Sequence, residues 1–218
     1  MREIVTFMAG ERSVSLNCQD IDWVKPPYHS FTLLRAEFDA WLASKAEEAG
    51  AMLACGIRVD DILTKNGRVV GIRAGEDEML ADVVIAADGV NSIIAQKAGL
   101  AKIFSPKKVA TGAKQVIKLP CDTISQRFQL EGNNGAAQLF VGDCTKGMQG
   151  GGFLYTNRDS ISLGLVVNAG ELQQNKYRIS DLLEDFKESP HIAPLIDGGE
   201  VVEYSAHLVP EAGLDMMP

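Results

Sequence analysis

Several signatures of metal, membrane and nucleic-acid proteins are missing from this 218-residue sequence. Its four cysteines and three histidines lack the paired spacing of a zinc or iron–sulfur site. No run approaches the roughly 20 apolar residues of a membrane span. The charged start MREIVTFMAGERS also lacks the apolar core of a signal peptide. The net charge of −8 disfavours a nucleic-acid partner, which would need a basic surface.

The glycine-rich turn G-x-G-x-x-G, which holds dinucleotide phosphates, is missing as well. The stretch VVIAADGVNS, residues 83–92, nevertheless has the form of a buried strand followed by an acidic residue and a glycine. In open α/β sheets, ligands bind outside the carboxyl ends of the strands. The sequence therefore contains one wall of a nucleotide pocket without the usual phosphate-binding wall.

Asp88 and Gly89 at the end of this strand have two interpretations. The Asp88 carboxylate can accept hydrogen bonds from ribose or ribityl hydroxyls, and Gly89 lets backbone N–H groups approach a pyrophosphate. Alternatively, the two residues only form a turn, and Asp88 caps the helix that follows. The local pattern leaves both interpretations open.

Arg35 precedes the clearest helix, predicted over residues 36–50 and stopped by Gly50. The helix is predicted from one apolar stripe: Phe38, Trp41, Leu42, Ala46 and Ala49. The Arg35 guanidinium could hold phosphate or ribityl oxygens. Alternatively, it faces solvent or pairs with Glu37 or Asp39.

Alternating and continuous apolar patterns predict strands along the rest of the chain. A hairpin with Gly10 at its turn is expected over residues 2–17, and Asn66-Gly67 predicts a second hairpin. Further strands are predicted at 51–55, 58–64, 68–74, 83–87, 112–120, 136–142, 151–157, 161–167 and 200–209, with helices over 92–100, 179–189 and 191–196.

Three consecutive glycines, residues 150–152, begin one of these strands. Glycine in a strand costs backbone entropy, so something should require it. Close approach of a planar ligand would suffice, and so would a strand bulge. We favour the bulge on these residues alone.

The order of these segments resembles a known family. Arg35, FDAWLASKAEEAGA, DDILTKNGRVVGI and ADVVIAADGVNS resemble the middle of FAD-dependent oxidoreductases, among them geranylgeranyl reductases and aromatic hydroxylases. The later segments GGGFLYTNRDSISLGLVV and SPHIAPLIDGGEVVEYSAHLVPEAGLDMMP are similar to electron-transfer-flavoprotein–quinone oxidoreductases and their FixC-type relatives. The resemblance covers almost the whole chain.

The resemblance implies a mixed α/β (α+β) fold. It joins a partial FAD/NAD(P)-binding Rossmann-like layer to an antiparallel-sheet substrate domain, as in aromatic-hydroxylase-like flavoproteins. Residues 1–30 and 105–210 would form the substrate domain, residues 31–104 the FAD-binding part, and residues 211–218 the return to it. Because the family carries its phosphate-binding turn before this region, we interpret the chain as an internal piece of a longer flavoprotein.

The resemblance also implies the site residues. Asp88 and Gly89 would face FAD, Arg35 would reach its ribityl or pyrophosphate region, and Val59 would offer backbone contacts to the adenine. Gly150 and Gly151 match glycines that border the quinone site in the family. The aromatic residue before them is replaced by Gln149, and the polar residue after them by Gly152. No catalytic acid, base, nucleophile or metal ligand is assigned.

The function implied is that of an FAD-dependent oxidoreductase, passing electrons between an electron-transfer flavoprotein or ferredoxin-like partner and a quinone-like acceptor. The alternatives are a prenyl-chain reductase and a non-catalytic binding module without flavin. We expect the isolated chain to be inactive and to bind FAD weakly or not at all. We expect a cytoplasmic protein, either free or at the periphery of the inner membrane, with no transmembrane segment.

Overall fold

The computed structural model describes residues 2–18, 27, 30–101, 105–211 and 213. His29 and nearly all of the predicted return segment 211–218 lie outside the described residues. The chain divides into two compact units, a first unit of Met1–Leu34 with Pro106–Val209 and a second unit of Arg35–Ser105 with Pro210–Pro218. In chain order the elements are β1 Arg2–Ala9, β2 Arg12–Cys18, α1 Arg35–Glu48, β3 Asp61–Lys65, β4 Arg68–Ala74, β5 Asp77–Leu80, α2 Ile93–Lys97, β6 Val109–Lys118, α3 Cys121–Phe128, β7 Ala136–Gly142, β8 Gly150–Thr156, β9 Ser160–Asn168, α4 Ala169–Asn175, α5 Ile179–Glu188, α6 Ala193–Ile196 and β10 Glu200–Pro210.

The first unit is built on a seven-stranded sheet in the order β10-β6-β9-β8-β7-β1-β2. The predicted N-terminal hairpin is confirmed, with β1 and β2 antiparallel around Gly10. The predicted antiparallel sheet is mixed, because β1 runs parallel to β7. A parallel pair needs a long connection between its strands, and here the segment Arg35–Ser105 of the second unit lies between them in the sequence.

The hydrophobic core lies in this first unit. Leu154 of β8 lies opposite Leu163 of β9, and both side chains are fully buried. Helix α5 adds three buried side chains, Leu182, Leu183 and Phe186. Burial of side chains of this size stabilises the fold by roughly 1.5–3 kcal/mol each. Helices α3 and α4 were not predicted, because each is only seven or eight residues long and carries few core-facing apolar residues.

Packing of the protein itself explains the three glycines of β8. A Cβ on Gly150 would clash with the carbonyl oxygen of Val166, and one on Gly151 would lie 2.7 Å from the carbonyl oxygen of Phe140. A Cβ on Gly152 would lie 2.7 Å from the Phe186 ring. The register between β8 and β9 runs without interruption from Gly150 to Thr156, so the predicted bulge is absent on that side.

The second unit contains a three-stranded antiparallel sheet in the order β3-β4-β5. Its first hairpin turns at Asn66 and Gly67, both with positive φ, as predicted. The predicted strands at 51–55 and 83–87 are wrong, since neither segment is a strand in the structure. A strand forms only when a neighbouring chain takes up its backbone hydrogen bonds, and no described strand pairs with either segment.

Apolar side chains of the second unit are largely exposed. The predicted helix α1 is confirmed, but Trp41 and Leu42 on its apolar stripe remain about half exposed. Ile85, in the predicted buried strand, is 85% exposed. Among the described residues, every buried hydrophobic side chain belongs to the first unit. The described residues thus leave the apolar stripe of α1 and the segment 83–87 largely uncovered. None of the helices in the described part of the chain has the length and apolar character of a membrane span.

Candidate nucleotide-binding site

A cavity of about 450 Å³ lies within the second unit. Its lining residues come from two parts of the second unit: those in or next to the three-stranded sheet, and residues 83–88 with the start of α2. Its lining is Val59, Ile72, Met79, Ala81, Val83, Val84, Ile85, Ala86, Ala87, Asp88 and Ile94. Asp88 is the single charged residue of that lining, so the cavity is an apolar cleft with one carboxylate.

Asp88 is held at this cleft by the helix that follows it. Its Oδ2 accepts a hydrogen bond of 2.6 Å from the backbone N–H of Ile94, in the first turn of α2. The turn between them is closed by Ser92, whose backbone N–H and hydroxyl both donate to the carbonyl oxygen of Gly89. Gly89 has φ +75°, a conformation that favours glycine. Asp88 thus caps α2, while its Oδ1 has no partner among the described residues.

Val59 lines the same cavity. It comes just before β3, whose ladder is extended by the backbone N–H of Asp60 donating to the carbonyl oxygen of Arg73 at 2.8 Å. Among the described residues, nothing pairs with the backbone N–H or carbonyl of Val59. Its main-chain donor and acceptor are therefore unpaired within the described part of the chain.

Arg35 does not line this cavity. It is the first residue of α1 and forms a bidentate ion pair with Asp39, with Nε–Oδ1 and Nη2–Oδ2 distances of 2.6 and 2.9 Å. This hydrogen bonding, together with the opposite charge, raises the pKa of Arg35 and lowers the pKa of Asp39. The pairing with Asp39 that the sequence offered as one alternative is confirmed.

Sequence reasoning missed a charged cluster directly beside Val59. The Asp60 carboxylate accepts from the backbone N–H of Gly75 and from Arg58, each at 2.8 Å, and these two hydrogen bonds lower its pKa. The neighbouring Asp61 has a lowered pKa, first because it accepts from the backbone N–H of Ile62 and then because positive charges lie near it. The paired acidic residues before a strand were the only sequence signal of this cluster.

The predicted substrate glycines belong to the first unit. Gly151 and Phe153, two residues apart, lie on the same face of β8, and Phe153 is paired with Leu139 of β7. Phe153 stacks on Tyr155 with ring centroids 5.2 Å apart, and burial raises the pKa of the Tyr155 hydroxyl. Three large apolar side chains of β1 and β7 are 41–49% exposed: Phe7, Leu139 and Val141. The structure thus gives the sheet an exposed apolar area near the glycine strand.

Comparison with solved structures shows the fold that this architecture represents. The chain superposes on a geranylgeranyl bacteriochlorophyll reductase-like protein from Thermoplasma acidophilum with a TM-score of 0.71 and 19% identity, covering 95% of this chain and 49% of that one. A flavin-dependent brominase matches with a TM-score of 0.66 and 15% identity, covering 95% and 50% of the two chains. The predicted mixed α+β fold of flavin-dependent enzymes is confirmed.

Comparison with curated sequences is more specific. The chain is 50% identical over 216 residues to Protein FixC of Escherichia coli strain K12, covering 99% of this chain and 50% of that protein. It is 45% identical over 217 residues to the probable electron transfer flavoprotein-quinone oxidoreductase YdiS of the same strain, covering 100% and 51%. No protein-family model matches the chain. The resemblance predicted from the motifs is confirmed, and the chain spans about half the length of these relatives.

Proposed function

We propose that this chain forms part of an FAD-dependent oxidoreductase. In this proposal it passes electrons between an electron-transfer flavoprotein or ferredoxin-like partner and a quinone-like acceptor. The similarity to FixC and YdiS over the whole of this chain supports the class of reaction. The cleft that brings the open backbone of Val59 to the same cavity as Asp88 is the structural observation that carries the proposal.

The residues of the cleft suit the nucleoside part of FAD. Its volume of about 450 Å³ is in the range of roughly 300–1,000 Å³ for small-molecule sites. Apolar walls suit the faces of an adenine, and the Val59 N–H and carbonyl suit its polar edge. The free Oδ1 of Asp88 can accept from a sugar or ribityl hydroxyl. A carboxylate repels phosphate, so the pyrophosphate would be held elsewhere.

Arg35 and Gly89 are the proposed contacts for the anionic part of the cofactor. The pair with Asp39 uses two of the five guanidinium donors of Arg35, and three remain for phosphate or ribityl oxygens. Both partners are well exposed, so the ion pair costs little to rearrange. Bound flavin would supply the electron-transfer chemistry, and the residues of this chain would bind and orient it.

An exposed apolar area of the first unit supports the part of the proposal that concerns a quinone-like acceptor. The exposed area at Phe7, Leu139 and Val141 would lose water when covered by a quinone-like ring. Gly150 and Gly151 remain the proposed border of that site. The departure at Gly152 has a packing cause, because the Phe186 ring occupies the space that a side chain would need.

Asp88 provides the test of the flavin site in the natural full-length protein. Asp88→Ala removes both the cap of α2 and the free oxygen, while Asp88→Asn keeps a capping oxygen and removes the charge. Hydrogen bonds to charged groups contribute roughly 1.5–3 kcal/mol, so we expect Asp88→Ala to raise the FAD dissociation constant about 10- to 100-fold. Asp88→Asn should raise the FAD dissociation constant by a smaller factor.

Asp122, in the first turn of α3 in the first unit, gives the matched control, and Asp122→Ala should leave FAD affinity unchanged. An Asp88→Ala protein with wild-type FAD affinity would refute the site. A colourless wild-type protein after incubation with FAD would favour the non-catalytic binding module. Anaerobic mixing of the holoprotein with reduced electron-transfer flavoprotein should bleach its flavin spectrum, and a quinone analogue should restore it.

A further inference from the structure

We propose that Lys97 is a positioning residue for the adenosine end of the flavin site. In this proposal it holds the main chain at Val59 in place across the cleft from Asp88. The proposal rests on the function proposed above, and it assigns a role to a residue that the family motifs do not include. Lys97 does not line the cavity and would act through the backbone that it fixes.

The contact that carries the proposal is made to main chain. Lys97 Nζ donates to the carbonyl oxygen of Asp60 at 2.6 Å, whereas the Asp61 carboxylate is 3.8 Å away. The Asp60 carboxylate is already engaged by Gly75 and Arg58. The Asp60 carbonyl belongs to the peptide between Asp60 and Asp61, and the peptide between Val59 and Asp60 is held by the Asp60 N–H, which donates to the carbonyl oxygen of Arg73. Lys97 thus holds the second of the two peptides that follow Val59, and together the two bonds fix the backbone of Asp60 and with it the course of the chain as it leaves Val59.

Lys97 also joins two walls that no strand pairing joins. Residues 83–87 pair with no described strand, so the wall that they form is held to the sheet by other means. Asp88 binds the first turn of α2 through Ile94, which itself lines the cavity. Lys97, the last residue of α2, binds the segment before β3. The short helix is thus fixed at both ends, once to each wall.

The plain alternative is that Lys97 makes only a surface ion pair. Its side chain is 42% exposed, and exposed pairs contribute little to stability. That alternative predicts no effect on the cofactor when the charge is removed. The positioning role predicts a selective loss of FAD affinity, because the ligand donor and acceptor at Val59 would lose their fixed orientation.

The test compares three variants of the natural full-length flavoprotein. Lys97→Met removes the charge, Lys97→Arg keeps a cationic donor, and Lys45→Met is the matched control on α1, where Lys45 pairs with Glu48 away from the cavity. We expect Lys97→Met to raise the FAD dissociation constant about tenfold. Lys97→Arg should keep most of the wild-type FAD affinity, and Lys45→Met should bind FAD with wild-type affinity. At saturating FAD the flavin absorption spectrum of Lys97→Met should equal that of wild type, because the effect is at the adenosine end.

Wild-type affinity in Lys97→Met would overturn the proposal. So would an equal loss in Lys97→Arg, an altered flavin spectrum at saturation, or a lowered urea midpoint in Lys97→Met, since each indicates a general disturbance of the fold. A wild-type protein that binds no FAD would refute the proposed function itself and this inference with it. That result differs from one in which wild type and Lys97→Met bind FAD equally, which would refute the inference alone.

Discussion

Gly152 offers the sharpest test of why β8 begins with glycines. We predict that Gly152→Ala destabilises the first unit through contact with Phe186. The new Cβ would lie 2.7 Å from Cζ and 2.9 Å from Cε1 of that ring. Carbon atoms in contact prefer separations of about 3.5–4.0 Å, so the ring would have to move by close to 1 Å. Phe186 is only 2% exposed and lies edge-on against Phe140, so it has little room to move.

The expected loss follows from two opposing contributions. Overpacking a well-packed core costs about 1–3 kcal/mol, and replacing glycine by alanine in a strand returns roughly 0.5–1 kcal/mol. The net prediction is a loss of about 1 kcal/mol, and at most about 2.5 kcal/mol, in the free energy of unfolding of the first unit. Gly112→Ala on β6 is the matched control, because its Cβ would meet neighbouring atoms at ordinary contact distances of 3.4 Å and more. That variant should be as stable as wild type or slightly more stable.

Native-state hydrogen exchange of the β8 and β9 amides in increasing urea would measure this free energy for the first unit alone. A double-mutant cycle with Phe186→Leu isolates the contact, since leucine lacks the two ring carbons concerned. Gly152→Ala should then cost little in the Phe186→Leu background, giving a coupling of about 1–2 kcal/mol. Unchanged exchange in Gly152→Ala, together with lost turnover with a quinone, would refute the packing argument and assign the glycine to the ligand.

Two further predictions concern charge and thiols. The pKa values of Asp60 and Asp61 are lowered in the folded chain, so their contribution to stability is present above the ordinary Asp pKa of 3.8 and is lost as the pH falls below it. An acid titration followed by circular dichroism should therefore show a smaller loss in Asp60→Asn than in wild type, and equal losses would contradict the assignment. Burial raises the pKa of the Cys144 thiol, so a thiol reagent at neutral pH should modify Cys144 only after unfolding. The three exposed cysteines should react in the folded chain: Cys18, Cys55 and Cys121. Early reaction of all four cysteines would show that the first unit opens readily.

Features that depend on neighbouring residues in the chain could be predicted from the sequence. The turns at Gly10 and Asn66-Gly67 form where predicted, because positive φ is a local demand that glycine and asparagine meet. The helix predicted over residues 36–50 from its apolar stripe and its stop at Gly50 forms at Arg35–Glu48. The order of the motifs also indicated the flavoprotein resemblance, which the comparisons confirm over the whole chain.

Features that depend on distant partners were decided only by the tertiary structure. The segment 83–87 has the composition of a buried strand, yet it forms no strand, because strand formation requires a neighbour and none of the described strands takes that place. The sequence left two roles open for Asp88, and the hydrogen bond to Ile94 shows that one of its oxygens caps α2. Val59 and Asp88 are far apart in the chain, and the fold brings both to the lining of one cavity.

The glycine strand shows the same division most clearly. The sequence by itself determined that Gly150, Gly151 and Gly152 stand together at the start of an aromatic strand, and that something must require them. Only the tertiary structure decided what does so, because the atoms that exclude a side chain come from β7, β9 and α5. Contacts between elements far apart in sequence leave no local pattern, and steric exclusion of a side chain is such a contact.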